Sequence, residues 1–116
     1  MFILNSSPGQ SVFLALEILN TDGTRVDGYI GDGYTAPVIS QLFFPNLTTS
    51  SLFPMAMTKL GVGLYYLSFI LPSGASAVGS YLADGYWIDA DGVTVKNFLY
   101  QIVCNSPTGS YTAAPL

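Results

Sequence analysis

The stretch Gly63-Leu64-Tyr65-Tyr66-Leu67-Ser68-Phe69-Ile70-Leu71 decides the fold class. Side chains of an extended strand alternate between its two faces. Tyr65, Leu67, Phe69 and Leu71 therefore share one side, which we expect to face a core. Pro72-Ser73-Gly74 follows at once, and the run shows no 3.6-residue period that would make it a helix. The same pattern recurs along the chain. In residues 93–104, Phe98, Tyr100 and Ile102 share one face, and Asn97 and Gln101 take the other. Residues 11–19 depart from it. Val12, Leu14, Leu16 and Ile18 make one apolar face, and Phe13, Ala15 and Leu19 also populate the opposite one. A strand apolar on both faces needs cover on both. In a two-layer domain this short, a neighbouring subunit is the expected second cover.

The punctuation between these runs is that of a β protein. Asp-Gly tolerates the positive φ of tight reversals, and it occurs at Asp22-Gly23, Asp27-Gly28, Asp32-Gly33, Asp84-Gly85 and Asp91-Gly92. Read as strand reversals, these pairs predict strands at 11–19, 24–30, 37–44, 52–59, 63–71, 80–89 and 93–104. Prolines 8, 37, 45, 54, 72, 107 and 115 lie between these strands or at their ends, sparing interiors where proline would remove a ladder hydrogen bond. The expected fold is all-β: a small immunoglobulin-like two-sheet antiparallel sandwich of about seven strands. It spans residues 1–104, and an extended C-terminal arm, residues 105–116, follows it.

Composition bounds the partners. A chain of 116 residues fits one domain. Only 9% of it is charged, with three basic residues and a net charge of −4, against about 25% charged in ordinary domains. The exterior must then carry Ser, Thr, Asn, Gly, Tyr and apolar side chains, and exposed apolar area on that scale marks an interaction surface. Arg25, Lys59 and Lys96 are too few and too scattered to neutralise phosphates, so nucleic acid is not an expected partner. Nor is a membrane, because the longest apolar run, 62–71, is far shorter than the ~20 residues of a spanning helix. The opening Met1-Phe2-Ile3-Leu4-Asn5 lacks the basic region of a signal peptide. Synthesis in a cytoplasm is the corresponding expectation. It makes the glycosylation match at Asn46-Leu47-Thr48 accidental. Cys104, the one cysteine, is expected as a buried, unreactive side chain.

The chain contains no histidine, which removes Ser-His-Asp and Cys-His nucleophilic catalysis. With a single cysteine, a structural zinc site is not expected either. We expect no enzyme activity, no catalytic residues and no cofactor. Asp89 and Asp91 have the Asp-x-Asp spacing that can place two oxygens on one calcium ion, but Lys96 stands where a further acidic ligand would be wanted. A hairpin turn at Asp91-Gly92 explains the pair first. The same turn chemistry explains Asp22, Asp27 and Asp32. Tyr29, Tyr34, Tyr81, Tyr86 and Trp87 flank polar loops. Tyr86 and Trp87 are the pair that could stack on a sugar ring, although core and interface packing is the simpler role for such aromatics.

Three stretches carry a resemblance. Ser7-Pro8-Gly9-Gln10-Ser11-Val12 leading to Thr21-Asp22-Gly23, the run from Gly63 to Phe69, and Gly79-Ser80-Tyr81 with Asp84-Gly85-Tyr86-Trp87 resemble macroglobulin-like and other immunoglobulin-like modules. A short, charge-poor chain made of one such module is similar to small virion proteins of tailed phages: capsid decoration (cement) proteins and head–tail neck or tail components. The resemblance implies a structural subunit located in the virion, with the major capsid protein or other virion proteins as partners. It also implies a homo-oligomer. On the residues themselves, the expected contact set is Phe2, Ile3, Leu4, Phe13, Leu19, Tyr111 and Leu116. A glycan-binding module using Tyr86 and Trp87 is the alternative.

Overall fold

The computed structural model describes residues 2–28, 36–89 and 91–105. Among these residues are eight strands: β1 (Phe2–Ser6), β2 (Ser11–Glu17), β3 (Val38–Phe43), β4 (Met55–Ala56), β5 (Thr58–Gly61), β6 (Leu64–Ile70), β7 (Gly79–Ile88) and β8 (Val95–Cys104). They form two sheets, a five-stranded one in the order β1-β8-β7-β3-β4 and a three-stranded one in the order β2-β6-β5. This is a small two-sheet β-sandwich.

The alternation read from the sequence builds the core. Val12, Leu14 and Leu16 of β2, Tyr65 and Leu67 of β6, Tyr81 and Ala83 of β7, and Tyr100 and Ile102 of β8 are all buried in one cluster with Ile39, Leu42 and Met57. At the corner between β6 and β7, a short 3-10 turn, Ala75–Ala77, lets the Tyr81 hydroxyl donate to the Ala77 carbonyl at 2.7 Å. The bond ties the start of β7 to the turn that carries the chain from one sheet to the other. Burial of the Tyr81 side chain raises its pKa above the usual phenolic value. Tyr81→Phe leaves that buried carbonyl without its donor and is expected to cost about 1–3 kcal/mol. Urea denaturation of the two proteins measures it, and an unchanged midpoint would contradict the assignment.

Several expectations need correction. β1 was not foreseen. It pairs in parallel with β8, from Phe2 opposite Tyr100 to Ser6 opposite Cys104, so the sandwich is not wholly antiparallel. No strand occupies 24–28, where the chain makes only an isolated bridge between Leu19 and Arg25. Asp27 holds that segment through side-chain bonds instead. The expected strand 52–59 is split. The chain leaves one sheet after Ala56 and enters the other at Thr58, turning on the buried Met57, whose N–H bonds the Pro37 carbonyl at 2.8 Å.

Asp84-Gly85 is not a turn but lies inside β7, opposite Leu99 and Phe98. A glycine is needed there for space: a Cβ would stand 2.6 Å from Phe98 Cε2 and 2.8 Å from the Val38 carbonyl oxygen. Asp22-Gly23 and Asp91-Gly92 do reverse the chain, with Gly23 N–H bonded to the Asn20 carbonyl and Gly92 N–H to that of Asp89. Asp32-Gly33, Tyr29, Tyr34 and the arm beyond residue 105 lie outside the described residues.

Candidate interaction surface

The described members of the contact set expected from sequence are divided between the two sheets. In the β1–β8 ladder, paired residues share a face, so Phe2 and Leu4 lie on the inner side with Tyr100 and Ile102, while Ile3 points outward with Gln101. Phe13 belongs to the outer face of the other sheet, on the far side of the sandwich from Ile3, and Leu19 is exposed just past the end of β2. Tyr111 and Leu116 lie outside the described residues.

A coherent surface exists on the three-stranded sheet, and the sequence reading identified only part of it. β2 alternates strictly between buried and exposed positions. Phe13 remains 55% exposed and stacks on Tyr66 of β6, with ring centroids 5.3 Å apart. Leu60 of β5, Ile70 of β6, Val62 in the turn between those strands and Leu19, two residues past the end of β2, are each at least 50% exposed. Two ion pairs border this surface: Arg25 with Glu17 at 2.6 Å and Lys59 with Asp27 at 2.7 Å.

Asp27 was read as a turn residue, but its carboxylate is a junction. Oδ1 accepts from the Gly63 N–H at 2.7 Å and from the Tyr65 hydroxyl at 3.1 Å, and Oδ2 from Lys59 Nζ. These donors hold its pKa below the usual aspartate value, the Lys59 hydrogen bond acting most strongly. Burial, reinforced by Asp27, pushes the Tyr65 hydroxyl up to about 12.

The calcium candidates do not converge on a metal site. Asp91 spends both oxygens on its own turn, accepting from the backbone N–H groups of Val93 and Thr94 and from the Thr94 hydroxyl. Among the described residues no three Asp, Glu, Cys or His side chains cluster to hold a metal. The Thr94 hydroxyl bond, then the backbone bonds, lower the Asp91 pKa to about 2. Its folded value is thus below its unfolded one. The turn's contribution to stability is present above pH ~4 and fades as pH falls towards 2. Asp91→Asn is expected to flatten the melting temperature against pH across that window, as measured by calorimetry. An unaltered acid limb would contradict it.

The glycan pair fares no better. Tyr86 and Trp87 are neighbours on β7, so they project to opposite faces and cannot form one stacking platform. Trp87 packs on Phe98 with centroids 5.9 Å apart, and its indole N–H is buried without an acceptor among the described residues. A shallow groove of about 530 Å³ lies elsewhere, between Phe44, Pro45 and Asn46 on one side and Pro72, Ser76 and Tyr81 on the other. The Tyr81 hydroxyl is already committed to Ala77. Cys104 is buried, and desolvation raises its thiol pKa, which disfavours the reactive thiolate.

No family model matches this chain, and no curated protein or solved structure does. The surface must be read from its own chemistry. Its largest exposed groups are apolar and aromatic, and the charges are confined to paired side chains at its border.

Proposed function

We propose that the chain is a non-enzymatic assembly subunit of a tailed-phage virion, acting as a capsid decoration protein that reinforces the shell through apolar contacts. The virion part of this reading comes from the resemblance of its motifs, which extends equally to neck and tail components. The observation that favours assembly is the exposed outer face of the three-stranded sheet, with Phe13, Tyr66, Leu60 and Ile70 on a protein that is only 9% charged. Contiguous apolar exposure of this kind marks a protein-binding surface, and aromatic side chains are enriched at such contacts. At ~25 cal/mol per Å² of apolar area, an interface of standard size, ~1,600 Å², suffices for stable docking after association costs.

The test is co-sedimentation of the purified chain with shells assembled from the major capsid protein of its own particle. Retention is expected at low salt and also at about 1 M NaCl, where exposed charges are screened beyond ~3 Å. Release by salt alone would contradict an apolar contact, and failure to co-sediment at any salt would overturn the capsid reading.

A further inference from the structure

Among the described residues the two sheets differ in width, and one strand position beside the narrower sheet has no occupant. Among the described residues β2 is an edge strand, paired only with β6. Hydrogen bonds at both ends of this ladder, Leu71 N–H to the Gln10 carbonyl at 3.0 Å and Ile18 N–H to the Gly63 carbonyl at 2.8 Å, show which β2 residues face β6. Even-numbered residues do, so Ser11, Phe13, Ala15 and Glu17 direct their N–H and C=O groups to the open edge. At that edge the Tyr100 hydroxyl, rising from β8, donates to the Ala15 carbonyl. The free edge of β2 therefore lies above β8, and β1, one strand further out, extends beyond it. Phe2 and Leu4 face inward from β1 yet are not buried; Phe2 is 48% exposed and stacks on Tyr100 with centroids 5.0 Å apart.

A seven-residue edge without proline or lysine is a template for another strand. A strand added there would continue the β2 ladder on one side and cover Phe2 and Leu4 below, in the manner of β-augmentation. The Ala15 carbonyl keeps a second lone pair for it. A whole sandwich cannot dock edge to edge in this place, because its own five-stranded sheet would meet β1. The shape admits a single extended arm.

The sequence holds one stretch of suitable length and composition. Residues 108–114, Thr-Gly-Ser-Tyr-Thr-Ala-Ala, form a proline-free run between Pro107 and Pro115, as long as β2 itself. Laid out as a strand, it puts Tyr111 and Ala113 on one face. Its own chain is a poor donor. β8 and β1 end side by side, with Asn105 N–H bonded to the Ser6 carbonyl at 2.9 Å. Residues 7–10 then run inward from β1 to β2. A path outward from Asn105 to the position above β1 would cross that connection, and connections avoid crossing. We infer that the open edge of β2 accepts residues 108–114 of a second copy of this chain. The inference rests on the assembly reading and gives it a self-contact.

Light scattering over a concentration series on the full chain, on a variant lacking residues 106–116, and on Ala15→Pro tests it. Proline at position 15 removes an N–H that points to the open edge, a placement edge strands tolerate. The full chain is expected to associate, the shortened one to stay monomeric, and Ala15→Pro to associate with a dissociation constant raised roughly tenfold or more. A synthetic peptide of residues 106–116 is expected to bind the shortened chain and shift the amide signals of Phe13, Ala15 and Leu4. Circular dichroism checks that both variants are folded. Association undiminished without residues 106–116, or a full chain monomeric at every concentration, overturns the arm exchange. Neither result touches docking on a capsid shell, which co-sedimentation decides separately.

Discussion

Leu14→Ala is expected to lower the unfolding free energy by about 2–5 kcal/mol, the largest loss of any single truncation proposed for this protein. Leu14 is fully buried at the middle of β2, in the same cluster as Ile39, Ala83 and Ile102 of the opposing sheet. Removing three carbons there forfeits transfer energy and leaves a cavity that two packed sheets close only partly. Against the ~5–15 kcal/mol that stabilises ordinary domains, such a loss brings the fold close to its limit. Phe13→Ala, one residue away on the exposed face, loses only the stack on Tyr66 and is expected to cost about 1 kcal/mol or less. Chemical denaturation of both variants checks the contrast. Equal losses would mean that β2 has been assigned the wrong inner face.

A methyl group at position 85 produces the second large effect. Gly85 does not have a positive φ, so its backbone suits any residue and the objection is purely steric. The added carbon would press on the Phe98 ring and on the Val38 carbonyl, both fixed by ladders on either side of β7. Overpacking of this kind costs typically 1–3 kcal/mol, and rigid β neighbours put Gly85→Ala at about the upper end. Removing the ring should give the methyl room. Gly85→Ala is therefore expected to cost less in a Phe98→Ala background than alone, a coupling that a double-mutant cycle of unfolding energies reads directly. Strict additivity would show that the Phe98 ring is not what excludes the side chain.

What the sequence disclosed follows the range of the interactions involved. Period-two alternation is local, and it located the inner rows of β2, β6 and β8 residue by residue. Long-range effects were hidden. Phe2–Ser6 is a short apolar run, and nothing nearby announces a parallel partner at Tyr100–Cys104. The Asp27 junction has the same character, since its partners lie 32 to 38 positions further along the chain. Asp84-Gly85 misled for the opposite reason. Its local turn preference is genuine, but the ladders to β3 and β8 override it. Opposite projection of Tyr86 and Trp87 was legible throughout, because adjacent residues of a strand always face apart. The place of β2 at the edge of the described three-stranded sheet was not legible, because it depends on β1 joining the other sheet.

Amide hydrogen exchange along β2 tests most directly the claim that this protein leaves one sheet edge open and assembles through it. In dilute solution the amides of Leu14 and Leu16, directed to β6, should exchange slowly, and those of Phe13, Ala15 and Glu17 rapidly. At concentrations where the chain associates, the second set should become protected as well. Protection of Phe13 and Ala15 at every dilution would mean that the edge is already covered within one chain. Rapid exchange at these positions in the associated form would mean that assembly uses another surface.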